Sequence, residues 1–278
     1  MRKQIGDLVV DVYPPESSKF KSPLLLAHGL WSGSWCWYEW ATHFCNLGWE
    51  CWAVNLSRRI KDKKRHPEIR LDVALQDWVD DLKRVIQAAL FPPVLLGHSM
   101  GGLAALKVAA EEEVTGLILL SSPPPSEIKM VMPRALRLLR LKYLPLIFLR
   151  RPFCPEERDL CRSWLASLPK SRLPDILKRM VPESATFVSE FFSRRIDVDP
   201  TRIRCPVLIV GGSEDRVVPM ASLREMAQRL GADLKEYPNH GHWMIGEAEG
   251  LKTVRDIHRW AIQKLGDEIL LAEFSQKG

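Results

Sequence analysis

The chain has 278 residues, of which 46% are hydrophobic, and 40 lysines and arginines against 34 aspartates and glutamates give a net charge of +6 at pH 7. This length can bury a sizeable core, either in two small domains or in one large α/β domain. Acidic and basic residues are mixed along the chain and no nucleic-acid-binding motif is present, so we expect no nucleic-acid partner.

The six cysteines and the N-terminus concern the compartment and the cofactors. The cysteines form no CxxC pair and show no Cys/His metal spacing, which predicts reduced thiols, no metal and no cofactor. We expect no signal peptide, because the first residues turn acidic before any long apolar stretch, and no apolar run approaches the roughly 20 residues of a membrane span. We expect a cytoplasmic protein. Contact with a membrane surface and the oligomeric state stay open.

Two apolar stretches open the chain. Residues 8–13 predict a short strand, and residues 24–27 predict a fully buried strand that ends at His28. An aromatic loop follows, and its tryptophans are Trp31, Trp35, Trp37 and Trp40. Such aromatics mostly pack in the core. The alternative is that Trp31 or Trp35 lines an apolar substrate pocket.

The next segment carries a strand, a basic loop and a helix. Residues 51–56 predict the strand, and the basic cluster at residues 58–65 predicts a solvated loop. Apolar residues recur at a helical period over residues 72–90, which places Asp80 and Asp81 on the outward face. Two prolines end this helix, and a buried strand follows at residues 94–96.

A glycine-flanked serine follows that strand. The hexapeptide GHSMGG occupies residues 97–102, with glycines two positions before and after Ser99. A serine on a sharp strand-to-helix turn is the nucleophile elbow pattern, and the glycines make room for the tight turn. Serine also favours helix N-caps, but the paired glycines make Ser99 the candidate nucleophile.

Strands and helices alternate in the rest of the chain, apart from one interruption. Helices are predicted at residues 103–110, 220–230 and 251–265, and strands at residues 114–120, 206–210 and 232–237. Between them, residues 123–199 are helical, proline-punctuated and basic, which predicts a cap inserted into a core of residues 1–122 and 200–278. The fold class is therefore α/β, with a mostly parallel sheet, helices on both faces and an inserted helical cap.

Three loops at the carboxyl ends of predicted strands carry reactive groups. They hold Ser99, Asp215 and His242, in the chain order of a serine hydrolase triad. A serine needs an imidazole to take its proton, and a carboxylate to orient that imidazole, so we assign His242 as the base and Asp215 as the acid. Glu214 and, more remotely, Asp233 are the alternatives for the acid, and His240 for the base.

Other groups near these loops are assigned supporting roles. The amide of Met100, which follows the nucleophile, and the amide of Leu30 are predicted to form the oxyanion hole. His98 and His28 are interpreted as structural, with His28 bonding to the backbone of its own loop. Glu247 is interpreted as a helix-capping residue rather than a supporting group of the site.

The motifs together carry a family resemblance. They are HGLW at residues 28–31, GHSMGG at 97–102, GGSED at 211–215 followed by VVP at 217–219, and GHW at 241–243. The chain resembles the α/β-hydrolase superfamily over residues 20–122 and 200–265. The resemblance implies a Ser-His-Asp hydrolase with a cap over the site. The short N-terminus predicts one fewer leading strand than usual.

The predicted cap carries a cationic helix and a group of phenylalanines. Arginines recur every third residue at Arg134, Arg137 and Arg140, with leucines between them, and Pro145 predicts a division into two short helices. The favoured interpretation packs these leucines on the core, and the alternative is a lid that contacts a lipid-like substrate. An apolar pocket ceiling is predicted from Phe187, Phe191, Phe192, Met132 and Met180.

These features predict a serine hydrolase that cleaves a small-molecule carboxylic ester, with an apolar acyl or alkyl group, through an acyl-enzyme. The candidates for the substrate pocket are Trp31, Trp35 and Trp243. The same triad also serves thioesterases, lactonases, C–C bond hydrolases and cofactor-free lyases. The non-enzyme alternative is a catalytically silent small-ligand receptor, and the intact Ser, Asp and His argue against it.

Overall fold

The structure, a computed structural model, describes residues 1–56, 73–193 and 196–271. Within these ranges eight strands form one sheet, namely β1 (Arg2–Ile5), β2 (Leu8–Tyr13), β3 (Leu24–Ala27), β4 (Cys51–Val54), β5 (Val94–His98), β6 (Gly116–Leu120), β7 (Val207–Gly212) and β8 (Asp233–Tyr237). Their order is β1-β2-β4-β3-β5-β6-β7-β8. The β1-β2 and β2-β4 pairs are antiparallel and the other pairs are parallel. The predicted α/β class is confirmed.

Nine α-helices lie in the same ranges: α1 (Tyr38–Asn46), α2 (Leu75–Gln87), α3 (Met100–Ala109), α4 (Arg134–Phe148), α5 (Glu157–Arg162), α6 (Leu173–Arg179), α7 (Ala185–Ser193), α8 (Met220–Leu230) and α9 (Gly250–Leu265). The β3-to-β4 crossover runs along the sheet in the opposite direction to those that carry α2, α3 and α8. Right-handed crossovers therefore place α1 on one face and α2, α3 and α8 on the other. Helix α9 packs with α1.

The central strands of the sheet could be predicted from the sequence because they are apolar throughout. Strands β3, β5, β6 and β7 are buried at every position, as expected of parallel strands covered on both faces. Strand β1 is polar and mostly exposed, so hydrophobic patterning does not detect it. It pairs with β2, and the expectation of a missing leading strand is therefore wrong.

Helix α2 also departs from its predicted pattern at one position. Asp80 is exposed as predicted, but Asp81 is only 5% exposed. Helical geometry places Asp81 next to Trp78 and Val85, three and four positions away, and its carboxylate pairs with Arg84. The prediction that Asp81 faces outward is therefore wrong. The ion pair with Arg84 compensates for the burial of the Asp81 carboxylate. The basic cluster at residues 58–65 lies outside the described residues.

Between β6 and β7 the chain forms α4, α5, α6 and α7. The predicted break at Pro145 is wrong, since α4 is one helix that contains this proline. Pro145 lies in the last turn, and its carbonyl still accepts from the amide of Leu149 at 3.0 Å. The proline lacks the amide hydrogen for one helical hydrogen bond and crowds the carbonyl of Leu141, but the turn that follows it keeps its hydrogen bond, so α4 continues to Phe148. The boundaries of the cap at residues 123 and 199 remain a prediction.

The leucines of α4 do not all pack as predicted. Leu136 is fully buried, but Leu138 is 60% and Leu141 65% exposed. The interpretation that these leucines lie on the core is therefore wrong for two of them. No helix in the described ranges combines the length and the apolarity needed to cross a membrane.

Candidate active site

Three predicted residues meet at the carboxyl end of the sheet. Ser99 follows β5, Asp215 follows β7, and His242 lies in the loop after β8. Nε2 of His242 lies 3.0 Å from Oγ of Ser99, and Nδ1 of His242 lies 2.9 Å from Oδ2 of Asp215. The carboxyl ends of parallel strands share one edge, and this edge brings together residues 143 positions apart.

The backbone of Ser99 has the conformation expected of a nucleophile elbow. Its φ is 52° and its ψ is −125°, in a region that side chains rarely occupy. A Cβ at Gly97 would lie 2.5 Å from the carbonyl oxygen of Gly101, and a Cβ at Gly101 would collide with the carbonyl of His28. The two glycines therefore permit the close packing of β5, α3 and the His28 loop that presents the serine.

The partners of the imidazole define its tautomer. A carboxylate only accepts, so Nδ1–H of His242 donates to Asp215, and the bare Nε2 accepts from the Ser99 hydroxyl. The other oxygen of Asp215 accepts from the amides of Val217 and Val218 at 2.7 and 2.9 Å. Both the histidine and the aspartate side chains are fully buried. This arrangement directs the lone pair of Nε2 at the proton that must leave the serine.

The alternative acids and the alternative base lie elsewhere. Glu214 is exposed, and Asp233 instead accepts from Nε1 of Trp260 at 2.8 Å. His240 is buried, and its Nδ1 bonds to the carbonyl of Pro238 at 2.9 Å. Among the weighed candidates, only Asp215 and His242 form the chain of hydrogen bonds to Ser99.

His98 and His28 contact the backbone of the site. Nε2–H of His98 donates to the carbonyl of His242 at 2.9 Å, and burial together with the nearby His242 lowers the pKa of His98 to about 3. Its imidazole is therefore neutral. Nδ1 of His28 bonds to the carbonyl of Gly29 at 2.9 Å, and its Nε2 accepts from the amide of Leu56 at 3.2 Å. Both residues fit the predicted structural role.

Glu247 does not cap a helix as predicted. Its Oε1 accepts from the amide of Gly241 at 2.9 Å, and Oε2 lies 3.9 Å from Nε2 of His240. Burial is the main cause that raises the pKa of Glu247. The carboxyl group holds the residue directly before His242, so the helix-capping interpretation is replaced by a contact within the loop that carries the base.

The predicted oxyanion donors lie beside the serine. Met100 is the first residue of α3, so its amide has no partner within the helix. A Cβ at Gly29 would lie 3.0 Å from the Cβ of Ser99, which shows how closely the loop before Leu30 approaches the nucleophile. In the part of the chain that the structure describes, neither the Leu30 amide nor the Met100 amide donates to a protein acceptor. Their role as oxyanion donors stays a prediction.

Sequence reasoning missed the residues that hold Trp31, which follows Leu30 in this loop. Trp31 has a φ of 57°, and its amide donates to the carboxylate of Glu183 at 3.3 Å. Its carbonyl accepts from the amide of Val181 at 3.1 Å, and its Nε1–H donates to the carbonyl of Phe153 at 3.0 Å. No local pattern predicts Glu183, since it acts on a residue 152 positions earlier in the chain.

The three tryptophans proposed for the substrate pocket have different surroundings. Trp31 is buried, and its ring packs edge-on against Trp164 at 4.7 Å between centroids. Trp35 stacks on Trp243 at 6.2 Å, and both line a surface groove bordered by Arg179. Trp31 is thus buried among aromatic rings in this structure, whereas Trp35 and Trp243, the residue after His242, line a groove.

Two phenylalanines of the predicted pocket ceiling also differ in their surroundings, since one is buried in the core and the other lines a cavity. Phe187 is buried against Trp78, with ring centroids 4.4 Å apart. Phe191 instead lines a small cavity that adjoins Met100, and the other lining residues are Leu103, Pro123, Pro124, Ser126, Met130, Glu190 and Ile196. The cavity has a volume of about 10 Å³, which is room for one water molecule at most, and its lining is mostly apolar. No group of three or more His, Cys, Asp or Glu among the described residues is arranged to hold a metal ion.

Comparison with known proteins gives one family and several similar structures. The model of the alpha/beta hydrolase family matches residues 24–253. A monoacylglycerol lipase of Mycolicibacterium smegmatis is 21% identical over 273 residues, which cover 93% of this chain and 94% of that protein. The Paleococcus ferrophilus monoacylglycerol lipase superposes with a TM-score of 0.68 at 17% identity, and covers 92% of this chain and 99% of its own. A thermophilic esterase from Thermogutta terrifontis gives a TM-score of 0.68 at 18% identity, over 95% and 99% of the two chains.

Proposed function

The chain belongs to the alpha/beta hydrolase family, and from this premise we propose that it is a serine hydrolase that cleaves carboxylic esters. The observation that carries the proposal is the continuous chain of contacts from Asp215 through His242 to Ser99. The names of the compared relatives, two monoacylglycerol lipases and an esterase, support the same reaction class.

The proposed reaction begins with acylation of the serine. Oγ of Ser99 attacks the ester carbonyl while Nε2 of His242 takes the hydroxyl proton, and Asp215 stabilises the imidazolium that forms. The amides of Leu30 and Met100 donate to the oxyanion of the tetrahedral intermediate. When this intermediate collapses, the C–O bond to the alcohol breaks and the imidazolium protonates the leaving oxygen.

Deacylation reverses these roles with water as the nucleophile. His242 takes a proton from water, the hydroxide attacks the acyl carbonyl, and a second tetrahedral intermediate uses the same two amides. Its collapse breaks the bond to Oγ and returns the proton to Ser99, so that one ester and one water give one carboxylic acid and one alcohol. No metal or cofactor enters these steps.

The substrate is proposed to carry an apolar acyl or alkyl group. The apolar side chains beside Met100 support this choice, because Phe191, Leu103 and Met130 place hydrocarbon and thioether surface next to the candidate nucleophile. In this proposal residues 123–199 form the cap that closes the site.

A series of p-nitrophenyl esters of increasing acyl length, with one thioester and one lactone, tests the reaction class. We expect the esters to turn over, with a preference for apolar acyl groups, and a fluorophosphonate to label the protein. Ser99→Ala should lower kcat by roughly 10⁴- to 10⁶-fold and abolish labelling, because no other group in the site provides the nucleophile. Ser18→Ala, an exposed serine in the loop before β3, is the matched control and should keep full activity.

Three results would contradict the proposal. Labelling that survives Ser99→Ala would show that another residue is the nucleophile. Turnover of the thioester or the lactone, but of no ester, would keep the triad and reject the proposed substrate. Tight binding of a small molecule without any turnover would favour the receptor alternative.

A further inference from the structure

One face of α4 exposes large apolar side chains to solvent. Leu138, Leu141, Leu144 and Phe148 are 60%, 65%, 47% and 84% exposed. We call these four residues the outer stripe. Their spacing of three, three and four residues places them along one side of the helix. Exposed apolar residues are ordinary when scattered, but a continuous row on one element indicates an interaction surface.

The outer stripe is not the side of α4 that packs on the rest of the protein, because α4 has a separate buried face. Leu136 is fully buried and Tyr143 is 7% exposed. The ring of Tyr143 stacks on Phe153 at 5.0 Å, and its hydroxyl bonds to Asp159 at 2.6 Å. The helix is therefore anchored on one side, and the outer stripe projects on the opposite side.

The charges that α4 and its flanking residues carry are of one sign. Residues 131–151 contain six basic residues and no aspartate or glutamate. Lys142 pairs with Glu156 and Asp159. Among the described residues no ion pair is formed by the five arginines, which are Arg134, Arg137, Arg140, Arg150 and Arg151. The surface thus combines exposed hydrocarbon with uncompensated positive charge.

We propose that the outer stripe and its flanking arginines bind the surface of a membrane that contains anionic lipids. A helix with leucine and phenylalanine on one side and arginines beside them has the composition of an interfacial helix, whose apolar residues enter the acyl-chain boundary while the cations contact phosphates. A second copy of the chain is disfavoured as the occupant, because a two-fold contact through this face would oppose the arginines of both copies.

The proposed membrane surface is connected to the candidate active site. Tyr143 on the buried side of α4 stacks on Phe153, and the carbonyl of Phe153 accepts from Nε1–H of Trp31. The helix that contacts the lipid is therefore part of the same packed unit as the loop beside the nucleophile. Membrane binding itself does not depend on the proposed hydrolysis, so the two proposals can fail separately.

Flotation with lipid vesicles tests the proposal. The experiment uses the full chain with Ser99→Ala, so that no lipid is consumed, and compares phosphatidylcholine vesicles with vesicles that contain about 30% phosphatidylglycerol. We expect binding to the anionic vesicles that weakens with added salt, and much weaker binding to the neutral vesicles, because the arginines contribute through charge.

Two sets of variants separate the apolar and the charged contributions. The triple change Leu138→Ser, Leu141→Ser and Phe148→Ser should weaken binding at least about tenfold. The double change Arg134→Glu and Arg137→Glu should weaken binding at least about 25-fold, since one basic residue near an anionic surface contributes about fivefold. The matched controls are Leu90→Ser, whose leucine is 88% exposed, and the double change Lys252→Glu and Arg255→Glu on α9.

Both controls should bind as the parent protein does, and the unfolding temperatures of all variants should agree within a few degrees, because every changed side chain is exposed. The proposal is overturned if the parent protein does not float with anionic vesicles, or if the triple variant binds as well as the parent. A dimer in solution that the triple variant converts to monomers would also overturn it, and would identify the outer stripe as a self-association surface.

Discussion

Glu183 is a buried carboxylate, 1% exposed, on the segment that joins α6 to α7. It accepts from the amide of Trp31 at 3.3 Å and from that of Ser184 at 3.3 Å. Trp31 adopts a positive φ directly after Leu30, and such a conformation persists only where the surroundings hold it. We infer that Glu183 is a positioning residue, which acts through Trp31 on the direction of the Leu30 amide.

Glu183→Ala should lower kcat by about ten- to a hundredfold with little change in KM. A displaced Leu30 amide would weaken the contact to the oxyanion, which forms in the transition state and not in the bound substrate. Glu183→Gln keeps an acceptor oxygen and should restore much of kcat. Steady-state kinetics on one p-nitrophenyl ester measures both values. Glu156→Ala removes an exposed glutamate between α4 and α5 and should leave kcat and KM unchanged. If Glu183→Ala raises KM and leaves kcat unchanged, or if Glu183→Gln does not restore kcat, Glu183 contributes only to packing.

At the scale of elements, the junction of β5 and α3 decides how the serine is presented. The strand ends at His98 and the helix starts at Met100, so that Ser99 alone makes the turn. The amides of Gly102 and Leu103 both donate to the carbonyl of Ser99. The turn leaves no space for side chains where β5 crosses the start of α3, and the glycines of the motif are therefore a packing requirement.

Gly97→Ala should lower the free energy of unfolding by about 1–3 kcal/mol or more, because its Cβ would lie 2.5 Å from the backbone oxygen of Gly101. The atoms nearest to this Cβ all belong to the backbone of Gly101 and Gly102, so no flexible side chain can move away from it. Gly33→Ala is the matched control, since its nearest neighbours are side-chain atoms of the half-buried Trp35 at 3.0 Å. Urea unfolding measures both variants. Equal losses for the two would contradict the packing argument.

At the scale of the whole molecule, the helices between β6 and β7 share a core with the sheet. The ring of Phe187 on α7 packs edge-on against Trp78 on α2 at 4.4 Å, and Trp164 packs against Trp31 at 4.7 Å. Large buried aromatic contacts of this kind cross the predicted boundary between cap and core. We therefore expect the two parts to unfold together rather than as separate units.

Phe187→Ala should lower the free energy of unfolding by about 3–5 kcal/mol, because it removes a fully buried ring and leaves a cavity between α7 and α2. Thermal unfolding should still show one transition. Phe148→Ala changes a side chain that is 84% exposed, and its effect should stay within about 0.5 kcal/mol. Two separate transitions in the parent protein would disprove the shared core.

The sequence by itself determined the central sheet and the candidate triad. Strands buried on both faces are apolar throughout, and the candidate residues follow such strands, so one-dimensional patterns were sufficient to nominate Ser99, Asp215 and His242 as candidates. Only the tertiary structure decided the contacts and the burial of Asp81, Glu183, Glu247 and the leucines of α4. Burial of a charge depends on a partner, and exposure of a leucine depends on which helix face finds the core. Those partners come from other elements, up to 152 residues away, and no local pattern records them.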